Sequence, residues 1–322
     1  MSIAIDQTVK SLTDKKHNYD KMMHQKLRQG LEFEKDFSPK GAEDTYVSKN
    51  VEIGEVMQAY QWKFTPKLNT DLSAVENPLQ RIKIDILFTG EDLEEFWNTY
   101  YVDWSQAAGL NPDEWTFPRY LYEEVIRKKI EEEMNQNSWS GVYQDPVDGV
   151  AGLSVNSVDG YNIKLQNAIT AGDVTPIATG ALVQATIINQ IETWLDQFPA
   201  PYKDAPGYID CSYEIKEMFE RAYRDAYGFA AGREDQNKEL RIYATQKYLR
   251  PRHCMTGSQR LIFNPSATDN MIWVTKVSSS KRFPLYPEIR WEKFERSLKG
   301  MAEIYRSYGW QYWDHLFVND QL

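Results

Sequence analysis

The sequence predicts an α+β fold, because strand patterns and helix patterns occupy separate parts of the chain. From Arg81 to Phe88 every second residue is apolar, as in a half-buried strand. From Pro118 to Gln136 the apolar residues recur at helical spacing on one side. Runs of β-branched and aromatic residues near the carboxyl terminus predict a closing sheet. A chain of 322 residues is expected to build one or two compact units from these elements.

Residues 1–50 are predicted to form a polar amino-terminal arm. Lysines and acids are interspersed there, and the apolar spacing is weak. Such a segment buries too little apolar area to order itself, and it becomes fixed by lying on another surface. A disordered tail is the alternative that the pattern leaves open.

Residues 51–88 are predicted to form an extended β-hairpin. Its first strand is expected from Ile53 to Phe64, where apolar residues fall mostly on alternate positions, and its second from Arg81 to Phe88. The polar stretch from Pro66 to Pro78 would connect them. A long two-stranded extension is unstable alone, so the hairpin would require a partner surface.

Several helices are predicted in the middle of the chain. Thr89 and Asp92 form a capping pattern that begins one helix. The long helix from Pro118 to Gln136 carries ion pairs four residues apart on its charged face. The glycine-rich segment 145–173 shows no clear period and predicts short strands and turns. Two further helices lie on either side of a proline-rich loop, and the second is expected to begin at Ser212.

Two apolar runs near the carboxyl terminus, Leu261 to Phe263 and Met271 to Val277, are separated by the turn signal Asn264-Pro265-Ser266. They are expected to pair in one sheet. The segment from Leu298 to Trp313 predicts one or two further strands that end in an aromatic cluster.

Composition narrows the classes of function. The formal net charge is −10, so a protein that binds duplex DNA by neutralising phosphates is not expected. The sequence has no long apolar run and no signal-like amino end, so it predicts neither a membrane span nor export. Two cysteines make no disulfide framework. Ten Trp and twenty Tyr supply many side chains of the kind that is enriched at protein interfaces.

The sequence predicts no catalytic residue, cofactor or metal site. His253 and Cys254 are adjacent, but no local signature of a thiol enzyme surrounds Cys254 or Cys211. The acidic run Glu131 to Glu133 lies on a solvated helix face, where carboxylates are poor acid–base catalysts. No phosphate-binding glycine loop and no zinc-ligand spacing occurs.

Two groups of residues are candidates for contacts between subunits. Tyr60, Trp62 and Phe64 are candidate anchors, since buried aromatics dominate interface energetics, although a role in the core fits them equally well. The candidate basic contacts are Arg119, Arg250, Arg252 and Arg282. Arg250, Arg252 and Arg282 would meet acids of a neighbouring subunit and set its register, or they would lie in a solvated loop.

The order of these parts resembles the major capsid proteins of tailed bacteriophages. The segment Pro118-Arg119-Tyr120-Leu121-Tyr122-Glu123-Glu124-Val125, continued to Trp139-Ser140-Gly141, looks like the spine helix of that family. The ending Trp310-Gln311-Tyr312-Trp313-Asp314-His315-Leu316-Phe317-Val318-Asn319-Asp320 looks like a capsid-protein carboxyl terminus.

The resemblance implies an arm (1–50), an extended loop (51–88), a peripheral domain with the spine helix (89–144), an axial domain (145–258) and a return to the peripheral sheet (259–322). It implies a non-enzymatic subunit that forms pentamers and hexamers of an icosahedral capsid around double-stranded DNA. The implied partners are copies of the chain itself, a portal, a separate scaffolding protein and cement proteins, in a virion assembled in the cytoplasm of the host bacterium. An encapsulin-like compartment protein and a carboxylate-based hydrolase are the alternatives.

Overall fold

The computed structural model describes residues 32–67, 70–92, 126–228, 241–242, 245–277, 288–292 and 297–321. The helices are α1 (Glu32–Asp36), α2 (Arg127–Ser140), α3 (Tyr161–Ala171), α4 (Ile187–Asp196), α5 (Ala200–Lys203), α6 (Tyr213–Tyr227) and α7 (Ala267–Asn270). The strands are β1 (Ser38–Ala42), β2 (Thr45–Ile53), β3 (Thr70–Pro78), β4 (Gln80–Thr89), β5 (Gly207–Cys211), β6 (Lys247–Pro251), β7 (Ile262–Phe263), β8 (Met271–Lys276), β9 (Glu288–Glu292), β10 (Ser297–Trp310) and β11 (Phe317–Val318). The predicted α+β class is confirmed.

The larger sheet has the strand order β1-β8-β10-β4, and β9 also pairs with β10. The 14-residue strand β10 confirms the strand predicted from Leu298, and it runs antiparallel to β4, β8 and β9. The alternation that predicted a strand at Arg81 to Phe88 is also confirmed, because the apolar side chains of β4 pack on one core. The same core takes in α2 and α3.

The hairpin predicted across residues 51–88 is wrong in its pairing. Its two strands are β2 and β3, which pair antiparallel from Thr45 opposite Pro78 to Ile53 opposite Thr70. The stretch that was expected to connect the strands is therefore largely a strand itself, and residues 54–67 form the irregular tip. Strand β4 pairs with β10 instead, because its apolar face is buried against the body of the protein.

The arm predicted for residues 1–50 also requires correction. Residues 1–31 lie outside the described part of the chain, but α1 and β1 belong to the body. Phe33 and Phe37, four residues apart, are buried in the core beside Tyr161, and β1 is the edge strand parallel to β8. These two aromatics supply the apolar area that the polar composition of the segment concealed.

A smaller sheet, ordered β11-β7-β5-β6, belongs to a second core with α4 and α6. The expectation that residues 261–263 pair with residues 271–277 is wrong, because β7 lies in this sheet and β8 in the larger one. The turn at residues 264–266 therefore connects two sheets rather than two strands of one hairpin. The chain crosses between the two cores at this point.

The predicted helices are mostly confirmed where they are described. Ser212 caps α6 by accepting a hydrogen bond from the backbone N–H of Ile215 at 3.4 Å, and Thr89 and Asp92 exchange the hydrogen bonds of a capping box. The long helix continues to Ser140, and its first predicted turns, 118–125, lie outside the described residues. The expectation of short strands and turns across 145–173 holds for the turns before residue 161, but it is wrong for Tyr161–Ala171, which is helical.

Candidate functional site

Among the described residues, the tip of the β2–β3 hairpin, residues 54–67, is an unusual surface. Every residue of the tip is exposed. Tyr60, Trp62 and Phe64 are 86%, 91% and 92% exposed, and Val56 and Met57 are 72% and 91% exposed. Soluble monomers rarely leave so many large apolar side chains in contact with water, so the tip has the properties of an interaction surface.

The tip nevertheless has internal structure. The side-chain amide of Gln58 donates hydrogen bonds to the backbone carbonyl oxygen and the hydroxyl of Thr65, at 2.8 and 3.2 Å. Lys67 pairs with the Glu55 carboxylate at 3.2 Å and donates to the carbonyl oxygen of Met57 at 3.0 Å. These contacts close the tip across its base, so its aromatic side chains are presented by a defined loop.

The hairpin itself presents one apolar face to solvent. In an antiparallel ladder, residues directly opposite each other share a face, so Val51 and Leu72 lie together on the outer side. They are 57% and 77% exposed, while Ser48 and Asn77 on the other side are buried. The hairpin thus lies against the body through its inner side and extends the exposed apolar surface of the tip.

A buried polar cluster fixes the root of the hairpin. Lys164 of α3 donates hydrogen bonds to Asn77 Oδ1 on β3 and to the hydroxyl of Ser307 on β10, both at 3.0 Å. The amide nitrogen of Asn77 donates to the carbonyl oxygen of Trp310 at 3.0 Å. Burial lowers the pKa of Lys164 to about 8, and the nearby Asp159 carboxylate opposes that shift. We call Lys164, Asn77 and Ser307 the root cluster.

The lowered pKa of Lys164 predicts a specific pH dependence of stability. An unfolded lysine has a pKa of about 10.4, so between about pH 8 and 10.4 mainly the unfolded chain holds this proton, and the contribution of Lys164 to the free energy of unfolding rises with pH. The gain is lost as the pH falls through the folded-state pKa of about 8, and in full it is about 3 kcal/mol. Urea unfolding of the wild type and of Lys164→Met across this range measures the difference. The free energy of unfolding of the wild type is expected to rise relative to that of Lys164→Met, because the buried Cys211 and Cys254 thiols contribute the same opposite trend to both proteins. Relative to Lys129→Met, which alters a lysine that is 62% exposed, it should stay constant. If the free energies of unfolding of the wild type and of Lys164→Met change in parallel with pH, the lowered pKa of Lys164 is contradicted.

Solved structures match this chain, whereas no protein-family model and no curated protein does. A chain of the satellite phage P4 procapsid, in a structure that includes the size determination (Sid) protein, aligns with a TM-score of 0.55 and 9% identity over 93% of this chain and 98% of that one. A chain of the native GTA particle capsid gives a TM-score of 0.55 and 11% identity over 89% and 94%. A chain of Gordonia phage Cozz gives 0.50 and 10% identity over 89% and 85%.

This chain has the phage capsid fold. The fold predicted from the order of the parts is therefore confirmed, although identities of 9 to 11% leave no shared residue pattern to follow. Within the capsid fold described here, the β2–β3 hairpin extends outside both hydrophobic cores.

Of the basic residues predicted as contacts between subunits, the two that the structure describes do not share the free exposure of the aromatic residues of the tip. Arg250 forms a bidentate pair with Asp210 at 2.7 and 2.8 Å. Arg252 is 4% exposed and binds Asp210 at 2.8 Å and Asp36 at 2.6 Å. The acids that these arginines meet therefore lie in their own chain, and the expectation that Arg252 faces a neighbouring subunit is corrected by its burial. Arg119 and Arg282 lie outside the described residues.

The arginine pair has a structural role that sequence reasoning missed. Asp36 ends α1 and Asp210 lies on β5, so Arg250 and Arg252 join the amino-terminal segment to the smaller sheet. The guanidinium of Arg252 also lies 5.0 Å from the ring centre of Phe33. Spacing along the chain gave no signal for this network, because its acids come from distant segments.

The residues considered for catalysis lie in unreactive surroundings. Burial raises the pKa of the Cys211 thiol, and it raises the pKa of the Cys254 thiol well above its ordinary value, so neither is poised as a thiolate nucleophile. A cleft of about 620 Å³ lies between α2 and the turn at residues 253–258, and Glu132 is the one carboxylate among its lining residues. Among the described residues, no group of three or more potential metal ligands occurs, and no helix is long and apolar enough to cross a membrane.

Proposed function

We propose that the protein is a major capsid protein of a tailed phage, a structural subunit rather than an enzyme. In this proposal, copies of the chain associate into pentamers and hexamers, and these form an icosahedral shell around double-stranded DNA. The capsid fold supports the proposal, and the single observation that carries it is the exposed aromatic tip on a projecting hairpin. A shell subunit requires several different contact surfaces, because each copy meets its neighbours through unlike patches.

The energetics of the tip favour assembly. Burying one large apolar side chain contributes about 2 to 3 kcal/mol, so covering Tyr60, Trp62 and Phe64 on a neighbouring copy would contribute several times that amount. An isolated monomer leaves these side chains in water. The association also costs translational and rotational freedom, so several such contacts are needed for each subunit. A closed shell provides them by repeating one contact around every capsomer.

The remaining assignments follow from the same proposal. The larger sheet with α2 would form the peripheral domain, which combines residues 89–144 and most of 259–322 with the strands β1 and β4. The smaller sheet with α4 and α6 would form the axial domain, which combines residues from 145–258 with the strands β7 and β11. The hairpin of β2 and β3 would serve as the extended loop. A net charge of −10 suits a container that must not bind its DNA at every subunit. Portal, scaffolding and cement proteins would be partners in a virion assembled in the cytoplasm of the host bacterium.

The proposal is tested by changing the tip alone. We expect the wild type to form shells or rings of five and six subunits in negative-stain micrographs. The triple variant Tyr60→Ser, Trp62→Ser, Phe64→Ser is expected to remain folded but to stay monomeric or dimeric in size-exclusion chromatography. The matched triple variant Glu217→Ser, Asp225→Ser, Tyr227→Ser, at exposed positions of α6, controls for surface changes in general. Wild-type protein that stays monomeric at every concentration, or a tip variant that assembles normally, would contradict the proposal.

The contents of the particles distinguish a phage capsid from the encapsulin-like alternative. An encapsulin-like shell would enclose protein cargo, and a phage capsid would enclose DNA, so nuclease-protected nucleic acid in particles from infected cells favours the phage role. The hydrolase alternative requires a pair of carboxylates in one cleft. A stable monomer with hydrolytic activity that is lost in a Glu132→Gln variant would favour that alternative.

A further inference from the structure

A second exposed apolar loop lies between α2 and α3. Residues 142–153, here the acceptor loop, are exposed throughout. Val147, Val150 and Leu153 are 67%, 66% and 70% exposed. Backbone hydrogen bonds hold the start of the loop in place, from the N–H of Val142 to the carbonyl oxygen of Val155 at 2.9 Å and from that of Gln144 to Asn156 at 3.1 Å. The loop therefore presents its apolar side chains from an anchored base.

The acceptor loop and the hairpin tip have complementary charges. The loop contains Asp145 and Asp148 and no basic residue. The tip contains two lysines and one acid, and Lys67 pairs with that acid, Glu55. Lys63 stands between Trp62 and Phe64, the two most exposed aromatics of the tip. The apolar surface of the tip therefore carries a positive charge at its centre, and the acceptor loop carries two negative charges.

The acceptor loop starts near the root of the hairpin, whereas the tip lies at the other end of the β2–β3 ladder. Asp159 accepts a hydrogen bond from the side-chain amide of Gln80, just after the hairpin, and another from the backbone N–H of Tyr143, both at 2.9 Å. The acceptor loop thus starts beside the root of the hairpin. Nine paired residues separate that root from the tip, a length of about 30 Å at about 3.3 Å per residue. Both surfaces are exposed in the single chain.

We propose that the tip of one copy docks on the acceptor loop of the next copy, with Lys63 facing Asp145 and Asp148. This inference rests on the proposed function and specifies its partner surface. Because the donor and the acceptor are different patches, the contact is heterologous, and its repetition generates a ring or a lattice rather than a closed dimer. The charges set the register of the contact, and the apolar side chains supply most of the buried area.

A charge exchange tests the pairing. Lys63→Glu alone and the double variant Asp145→Lys, Asp148→Lys alone are each expected to raise the protein concentration required for assembly by about tenfold or more, because like charges would face each other. Combining all three substitutions in one chain is expected to restore assembly to near the wild-type concentration. Asp173→Lys, at an exposed acid outside the loop, serves as the matched control and should leave that concentration unchanged. Circular dichroism and urea unfolding establish that each variant is folded.

The outcomes distinguish this inference from the proposed function. Wild-type protein that never assembles would contradict the proposed function. Wild-type particles together with normal assembly of the Asp145→Lys, Asp148→Lys variant would overturn the acceptor loop and leave the shell function standing. A combined variant as defective as either parent would equally overturn the pairing of Lys63 with the two acids.

Discussion

Replacing Arg306 with methionine is expected to lower the free energy of unfolding by about 3 to 5 kcal/mol, the cost of leaving a buried charge without its partner. Arg306 is fully buried on β10, and its Nε lies 3.1 Å from Oε1 of Glu34, whose side chain is 1% exposed. The hydroxyl of Tyr308 donates to the same carboxylate oxygen at 3.2 Å. Methionine fills a similar volume, so the loss arises chiefly from the carboxylate that remains. Urea unfolding at pH 7 measures it.

Two further variants separate the charge effect from packing. Glu34→Gln combined with Arg306→Met removes both charges and is expected to recover part of the loss, because no ion is then left buried alone. Arg81→Met removes an arginine that is 60% exposed and pairs with Glu303, so it should change stability by less than about 1 kcal/mol. An Arg306→Met variant as stable as Arg81→Met would show that the buried pair does not hold α1 to the sheet.

This pair explains why the amino-terminal prediction failed. Residues 32–42 looked polar, and a polar segment is normally left outside a core. Glu34 is buried because its partner, Arg306, arrives from the last long strand, and Trp273 of β8 donates to the carbonyl oxygens of Glu34 and Phe37 at 3.2 Å. A contact between segments so distant along the chain leaves no periodic signal in the sequence.

Local patterns predicted local structure well. The alternation in β4 and the cap at Ser212 depend on neighbours within a few residues, and both are confirmed. Strand partners depend on which faces meet after the chain folds, and the hairpin was therefore assigned to the wrong strands. The helix α3 did have a local signal that was overlooked: Tyr161, Leu165 and Ala168 are buried at helical spacing, and Gly172 ends the helix in a left-handed conformation with φ of 88°.

For the candidate assembly surface, too, the sequence indicated the local feature but not the contacts between distant segments. The aromatic character of the tip was evident from the sequence, but its two equally plausible interpretations, core and interface, were separated only by exposures of 86 to 92%. The root cluster was not predicted, because Lys164, Asn77 and Ser307 each look like ordinary surface residues. Folding brings them together from α3, β3 and β10.

The root cluster also depends on a glycine, and Gly309→Ala is the substitution expected to disturb it most. A Cβ atom at position 309 would lie 1.8 Å from Oδ1 and 2.6 Å from Cγ of Asn77, a residue that is 1% exposed. Asn77 would have to move, and its hydrogen bonds to Lys164 and to the carbonyl oxygen of Trp310 would be lost. Overpacking together with unsatisfied buried polar groups predicts a loss of about 2 to 4 kcal/mol in the free energy of unfolding, measured by urea denaturation.

The double variant Asn77→Ala, Gly309→Ala isolates this contact, since alanine at position 77 removes the atoms that would clash. In that background, Gly309→Ala is expected to cost less than about 1 kcal/mol, which gives a strong coupling energy between the two positions. Gly152→Ala is the matched control, because a Cβ there meets nothing within 4 Å. If Gly309→Ala lowers the free energy of unfolding as much with alanine at position 77 as with asparagine, the loss does not come from the clash with Asn77. In that case Gly309 does not hold the hairpin root against the body of the capsid fold.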